Sequence, residues 1–532
     1  DDIYTASGAS AVYLGVNLFS QSGAGDAQDI YAADLTTIFG AVGANPDTGV
    51  TSGVLADNGG PVQTVALNIS GIAVDAGDSA VLTPDAFDLD GDAVTAEDLP
   101  VDARGLERVT GTELDLGAVE MSQTYTVTTL DDETFEAGDL AAETADGNGL
   151  SLREALALAQ DGDTITFDMA LSGSTITLAG TQLTITQDDL TIDGDLDDDG
   201  NLDIIVDANG LSRVFFVEGG QESDPDDVTI DGLAITGGYL NGGDGAGIYI
   251  GTDAIVTVQN SNIYGNNIAN EGSGGGVFVN SISTLNLMDS EVVDNTAAEY
   301  GGGVATISSS STIYVSNSYI AHNEGNNGGG IYTRGTTTIV EGSTIYLNDA
   351  FNGGGIMSGG NLTVDSGSVI ANNTAGNLGG GVFVEGTATV SYSAISDNDA
   401  GGGGGIFNQS GDLTIINSSV SGNYASGYGG ALYSNENSSS TIVNSTIANN
   451  TTDSGAGGIY AYNATILNVL NSTFSGNEGS GDGGAADIQG GTTATFTNAT
   501  FYDNQASGAG GGVNIGGDSV LNLYNSTFTG ND

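Results

Sequence analysis

Eleven times between residues 263 and 531 the chain repeats one phrase: an apolar residue, two variable ones, then Asn. The asparagines are Asn266, Asn295, Asn323, Asn348, Asn373, Asn398, Asn423, Asn450, Asn477, Asn504 and Asn531. Successive steps are 29 and 28 residues, then 25 four times, then 27 four times. A Gly-Gly-apolar step separates nearly every pair, as in Gly328-Gly329-Gly330-Ile331 and Gly379-Gly380-Gly381-Val382. So regular a period requires units that each bury their apolar face against the next, which is a solenoid.

One unit shows how a coil is built. Val382-Phe383-Val384, Ala388-Thr389-Val390 and Ser393-Ala394-Ile395 alternate as short strands, separated by Gly and Asn turns. Three strands in about 25 residues predict a triangular coil of an all-β, right-handed parallel β-helix; an α-solenoid repeat needs about 34 residues and more helix formers. Coils stacked about 4.8 Å apart would carry eleven repeats over roughly 50 Å. The repeated Asn is suited to the left-handed corner angle, and its amide can bond the coils above and below.

Composition narrows the surroundings. Lys is absent, and five Arg face 69 acidic residues, for a net charge of -64. Nucleic acid and anionic membranes both require cationic side chains, so neither is an expected partner. The charge repels itself and calls for cations or salt. Acids are concentrated early, with 45 in residues 1–230 and 24 in residues 231–532. Cys is absent, which excludes disulfides and thiolate chemistry but not secretion. No apolar run approaches the roughly 20 residues of a membrane span. The start, Asp1-Asp2-Ile3-Tyr4, carries neither Met nor a signal peptide, and an internal piece of a longer polypeptide is expected.

Phe474-Ser-Gly-Asn477, Phe501-Tyr-Asp-Asn504 and Phe528-Thr-Gly-Asn531 resemble the Phe-x-x-Asn motif of polymorphic outer membrane protein repeats. Gly429-Gly430-Ala431 and Gly483-Gly484-Ala485 resemble that family's partner motif. The resemblance spans about 300 residues and implies a cell-surface, adhesin-like β-helix. Residues 122–230 read differently. Leu150-Ser-Leu-Arg-Glu-Ala-Leu156 opens a helix expected near 151–160, with Ser151 and Glu154 at capping-box spacing. Short strands are expected at 163–168, 174–178, 183–186 and 190–192. The segment resembles the CSLREA domain that precedes bacterial β-helices, with Leu150 where that family has Cys, and its helix would cover the open end of the first coil.

Leu55-Ala-Asp-Asn-Gly-Gly-Pro61, Asp102-Ala-Arg-Gly105 and Asp115-Leu-Gly-Ala-Val-Glu120 resemble the closing segment of choice-of-anchor β-helix proteins. That segment normally follows the coils, and here it precedes them. The expected organisation is therefore 1–121 closing a preceding module, 122–230 a cap with the first coils, and 231–532 the array. Joining Asp532 to Asp1 gives a plausible continuation, so the chain is expected to be one period of a tandem array or a subunit whose ends complete a neighbour. An uncapped last coil would favour such head-to-tail contact.

Asp195-Leu-Asp197-Asp-Asp199-Gly-Asn201-Leu-Asp203 sets carboxylates at positions 1, 3, 5 and 9 around a Gly, with the Asn201 carbonyl at 7. That is a calcium-loop pattern, though Val206 stands where a bidentate Glu is expected, leaving Asp193 or Asp207 to complete it. A solvated acidic loop is the alternative. Asp88, Asp90 and Asp92 form a second, shorter candidate. Clustered acids with an Arg, Lys or His would mark catalysis. The array holds only Arg334 and His322 of those types, so no enzymatic activity and no catalytic residue are expected. Arg104, Arg108, Arg153 and Arg213 are expected to pair with carboxylates. Tyr249, Tyr314, Tyr332, Tyr433 and Tyr460 are expected to pack in ladders rather than to stack on sugars.

Together these readings predict an extracellular or cell-surface β-solenoid, structural or adhesive, stabilised by Ca²⁺ and joined end to end with copies of itself. The alternative is a β-helix that binds or cleaves surface polysaccharide.

Overall fold

The computed structural model describes residues 123–532, except 136–139, 146–147, 198, 221–225, 335–336 and 464, with scattered short pieces of the first 122. The expected closing module, 1–121, thus falls almost wholly outside the described residues.

From Asp226–Asp231 to Val513–Ile515 each coil has four strands, while the coils before that strand have three. Val382–Val384, Thr387–Ser391, Ala394–Ser396 and Asp399–Gly402 follow one another, and the next strand, Ile406–Asn408, pairs in parallel with Val382–Val384. Repetition produces parallel sheets of 13, 15, 14 and 11 strands running the length of the solenoid. The reading of three strands missed the last one. Asp399-Ala400-Gly401-Gly402 has no β-branched or aromatic residue, and its pairing comes from stacking rather than propensity. Only a small side chain points inward there: Ala350, Ala375, Ala400 and Ala425 occupy one register and are buried.

Inward positions alternate with outward ones, and the interior fills with aliphatic and phenylalanine ladders. The apolar residue of each motif, Ile263 through Val420 and Ile447 to Phe501, is fully buried. Phe474, Phe501 and Phe528 stack face to face with centroids 5.0 and 4.3 Å apart.

The repeated asparagines form a buried ladder. Asn398 donates from Nδ2 to the Ile370 carbonyl (2.9 Å) and to Asn423 Oδ1 (3.0 Å). Its own Oδ1 accepts from the Asn373 backbone N–H (2.9 Å) and Asn373 Nδ2 (3.0 Å). The same pattern links every pair from Asn266 to Asn531. The left-handed corner lies one residue earlier than the sequence suggested: Asp294, His322, Leu347, Asn372, Asp397 and Asn449 carry φ of 52–56°. A second ladder went unforeseen. The backbone N–H of Ser261, Ser290, Ser318 and Ser343 each donates to the hydroxyl of the serine one coil on.

An aromatic ladder runs outside this core. The middle residues of the 13-stranded sheet include Phe216, Tyr249 and Phe278, stacked at 5.1 and 5.4 Å, then Tyr332, Phe383, Phe407, Tyr433 and Tyr460 further along. Tyr300 and Tyr428, at the ends of 11-stranded-sheet strands, stack on Tyr332 and Tyr460. Ladder packing thus holds for Tyr249, Tyr332, Tyr433 and Tyr460, whereas Tyr314 is exposed on the 15-stranded sheet.

At the start of the solenoid, helix α1 spans Leu140–Ala145 and α2 spans Leu152–Leu158. The capping box is formed: Glu154 N–H donates to Ser151 Oγ (3.2 Å) and Ser151 N–H to Glu154 Oε2 (2.8 Å). Leu152, Ala155 and Leu156 are buried with Tyr125, Ile165 and Leu183, so α2 seals the first coils. The expected strands appear as Thr164–Phe167, Thr175–Thr177, Leu183–Ile185 and Leu190–Asp193. Arg153 grips Asp132 with both Nε (2.8 Å) and Nη2 (2.9 Å). Arg213 instead donates to the carbonyls of Asp244 and Gly245 (both 2.7 Å) while its guanidinium lies over Phe216 and Tyr249. Carbonyls and ring faces hold it in place, with the Asp244 carboxyl near enough for the two charges to act on each other.

Candidate functional site

The acidic loop after Leu190–Asp193 brings three of its predicted ligands together. Carboxylate oxygens of Asp195, Asp197 and Asp203 lie within 4.8 Å of one another. Backbone geometry holds two of them: Asp195 accepts from the N–H groups of Asp199 (3.1 Å) and Gly200 (2.8 Å), and Asp203 from Leu196 N–H (3.0 Å) and Ser172 Oγ (2.6 Å). Desolvation, then the charges of Asp199, Asp203 and Asp195, pushes the Asp197 carboxyl above its ordinary range. Asp199 accepts from Asn201 N–H (3.0 Å) and Nδ2 (2.8 Å), and its carboxylate is not one of the three that converge. Asp207 accepts from Asn209 N–H (2.7 Å) and is not drawn in. Three hard oxygen donors suit Ca²⁺ chemically, with carbonyls or water needed to reach its usual six to eight ligands. Asp88, Asp90 and Asp92 lie outside the described residues.

A second site is built by the 11-stranded sheet. The residue after each ladder Asn points outward, and register places these residues in one row: Asn267, Thr296, Glu324, Asp349, Thr374, Asp399, Tyr424, Thr451, Glu478, Gln505. Two positions further along each strand's sequence stand Asn326, Phe351, Gly376, Gly401, Ser426 and Asp453, where bulges shift the register between several successive coils. Between Asn267 and Phe351 the face is hollowed into a trough of about 490 Å³, lined by Glu324, Asn326, Asp349 and Phe351, whose ring is 54% exposed. Further along the same sheet Tyr424 donates its hydroxyl to Asp453 Oδ2 (2.6 Å). That bond, with desolvation and the Asp453 charge, raises the Tyr424 hydroxyl above its usual range. Desolvation and Asp453 likewise hold the Asp399 carboxyl high. Asp399 and Tyr424 are register partners on adjacent strands, so the carboxyl and the hydroxyl stand side by side on this face.

Both rows were readable in the sequence, one as the residue after each repeated Asn. The sequence alone does not reveal them as one face, because the strand under them, as in Asp399–Gly402, lacks residues of β propensity. His322 sits at a left-handed corner, edge-on to Tyr346 and apart from the trough lining.

The description "Right handed beta helix region" matches residues 246–420, 358–484 and 387–532, which together make up more than half of the chain. The chain belongs to the right-handed β-helix family. No curated protein matches it. Among solved structures it is similar to pectate lyase Pel9A, at 14% identity over 77% of this chain and 81% of that one, with a TM-score of 0.28. It is also similar to the A-module of the Azotobacter vinelandii mannuronan C-5 epimerase AlgE6, at 13% identity over 77% and 90%, with a TM-score of 0.22. At these values the likeness concerns the β-helical fold alone. The expectation of no enzymatic activity is nonetheless corrected, because both structures are named for polysaccharide-acting enzymes. It had rested on the scarcity of Arg, Lys and His, and overlooked what stacked Asp and Tyr side chains can supply. Among the described residues, no helix is long and apolar enough to cross a membrane.

Proposed function

We propose that this β-helix works outside the cell as a stiff, acidic rod that holds an extended polysaccharide along the outer face of its 11-stranded sheet. The observation that carries the reading is the trough from Asn267 to Phe351. Its parts suit a sugar chain: an exposed ring for an apolar sugar face, amide and carboxylate groups for hydroxyls, and small residues such as Ala269, Ala298 and Gly325 between them. The two polysaccharide-acting β-helices are consistent with such a ligand, and the Asp399–Tyr424–Asp453 trio would be the place for any proton transfer. Ca²⁺ at Asp195, Asp197 and Asp203 would offset repulsion near the acidic start of the coils. Affinity electrophoresis through gels containing soluble polysaccharides tests the reading. Retardation by at least one polymer, reduced in Phe351→Ala, is expected, with sizing of the polymer afterwards to read cleavage. Unchanged mobility in every gel would refute it.

A further inference from the structure

The trough also carries information about the charge of its ligand. We propose, resting on the polysaccharide reading above, that the preferred polymer is a cationic amino-sugar chain. Glu324, Asp349, Asp399 and Glu478 belong to the first row and Asp453 to the second, and neither row contains a basic residue. This is not the general acidity of the molecule. From Asn262 to Thr529 the strands of the neighbouring 14-stranded sheet contain a single acid, Glu291. Two of the acids, Glu324 and Asp349, line the hollow itself.

Spacing and shape agree with the charge. Glu324 and Asp349 are register partners on adjacent strands, which lie about 4.8 Å apart. An extended β-1,4-linked chain turns over at each residue, so ammonium groups on one edge recur at every second residue, and Asp349 and Asp399, two strands apart with Thr374 between them, are spaced to meet such a pair. Phe351, on the same strand as Asp349, offers its face to the apolar side of a sugar ring and to the nearby cation. A polyuronate would bring like charge against every acid in the row. A neutral chain would leave the carboxylates hydrated and gain nothing from their placement.

Calorimetric titration at mildly acidic pH with a β-1,4-linked glucosamine hexamer tests the inference. The neutral N-acetylglucosamine hexamer and a galacturonate hexamer serve as comparisons. The cationic hexamer should bind tightest, and Glu324→Gln/Asp349→Asn should weaken it by roughly tenfold, in line with two charge contacts and a ring face acting together. Neutralising Glu341, Asp365 and Asp412, acids on the 15-stranded sheet, should change it less than about twofold. Equal losses from both sets would reveal attraction to net charge alone and overturn the proposal. Equal or tighter binding of the neutral or anionic hexamer would overturn it while leaving the polysaccharide reading intact. Binding of no hexamer at all would remove both.

Discussion

Replacing Asn398 by Ala should be among the most damaging single changes in the array. The side chain is fully buried and makes four hydrogen bonds, two given and two received. Truncation strands the Asn373 backbone N–H, one Asn373 amide hydrogen and the Ile370 carbonyl where water does not reach. At about 1–3 kcal/mol for each buried group left unpaired, and with some relaxation of the coils, the loss should be about 3–5 kcal/mol. The matched control is Asn531→Ala. That ladder member is half-buried, so water can replace its bonds to Asn504 and Phe501, and the cost should stay below about 1 kcal/mol. Solenoids can open locally, so hydrogen exchange resolved by peptide is the right assay beside urea unfolding. Protection should fall most around 370–375 and 395–400 in Asn398→Ala. If both variants lose the same stability, the ladder contributes far less than its geometry implies.

Leu347 holds φ of 52° at a corner where other coils place Gly265, Gly422 or Gly476. Leu347→Gly should relieve about 1–2 kcal/mol of left-handed strain, offset by the entropy glycine loses on folding, for a net gain of up to about 1 kcal/mol in thermal unfolding. Burial holds the Asp487 carboxyl above its ordinary range, against hydrogen bonds from Gln489 and Asn514 (both 2.9 Å). A raised folded-state value means that its stabilising contribution is complete below the ordinary Asp pKa of about 3.9 and is lost as pH rises through the folded value. Asp487→Asn should therefore gain on the wild type as pH climbs from about 4, and a constant difference across that range would contradict this. Calcium should raise protection of residues 193–203 in hydrogen exchange, and chelation should reverse it. Asp203→Asn should abolish the effect while Asp199→Asn largely keeps it; equal losses would mean the ion sits elsewhere.

How much was legible follows from which residues face inward. The motif Ile395-Ser-Asp-Asn398 announced the coil, because Ile395 must fill the core and Asn398 must bond along it. The capping box at Ser151 and Glu154 was equally open to view, since both halves of that contact are local. The fourth sheet was hidden because strands such as Asp399–Gly402 owe their shape to neighbours a whole coil away. The trough inherited that blindness, since its rows exist only once those strands are stacked. Helix α1, Leu140–Ala145, is six residues long and was too short for periodicity to reveal. In the acidic loop, spacing alone could not foretell that Asp199 would fold back on Asn201.

The side chain after each ladder asparagine faces solvent and leaves the interior untouched, while the one before it is bound to a corner and the asparagine itself to its neighbours. Glu, Asp, Thr, Tyr and Gln all occupy that place in different coils without altering the winding. Such a fold separates the grammar of folding from the lettering on its face. Drift or selection can rewrite one column of letters, and with it the surface the rod presents, coil by coil and without disturbing the winding beneath.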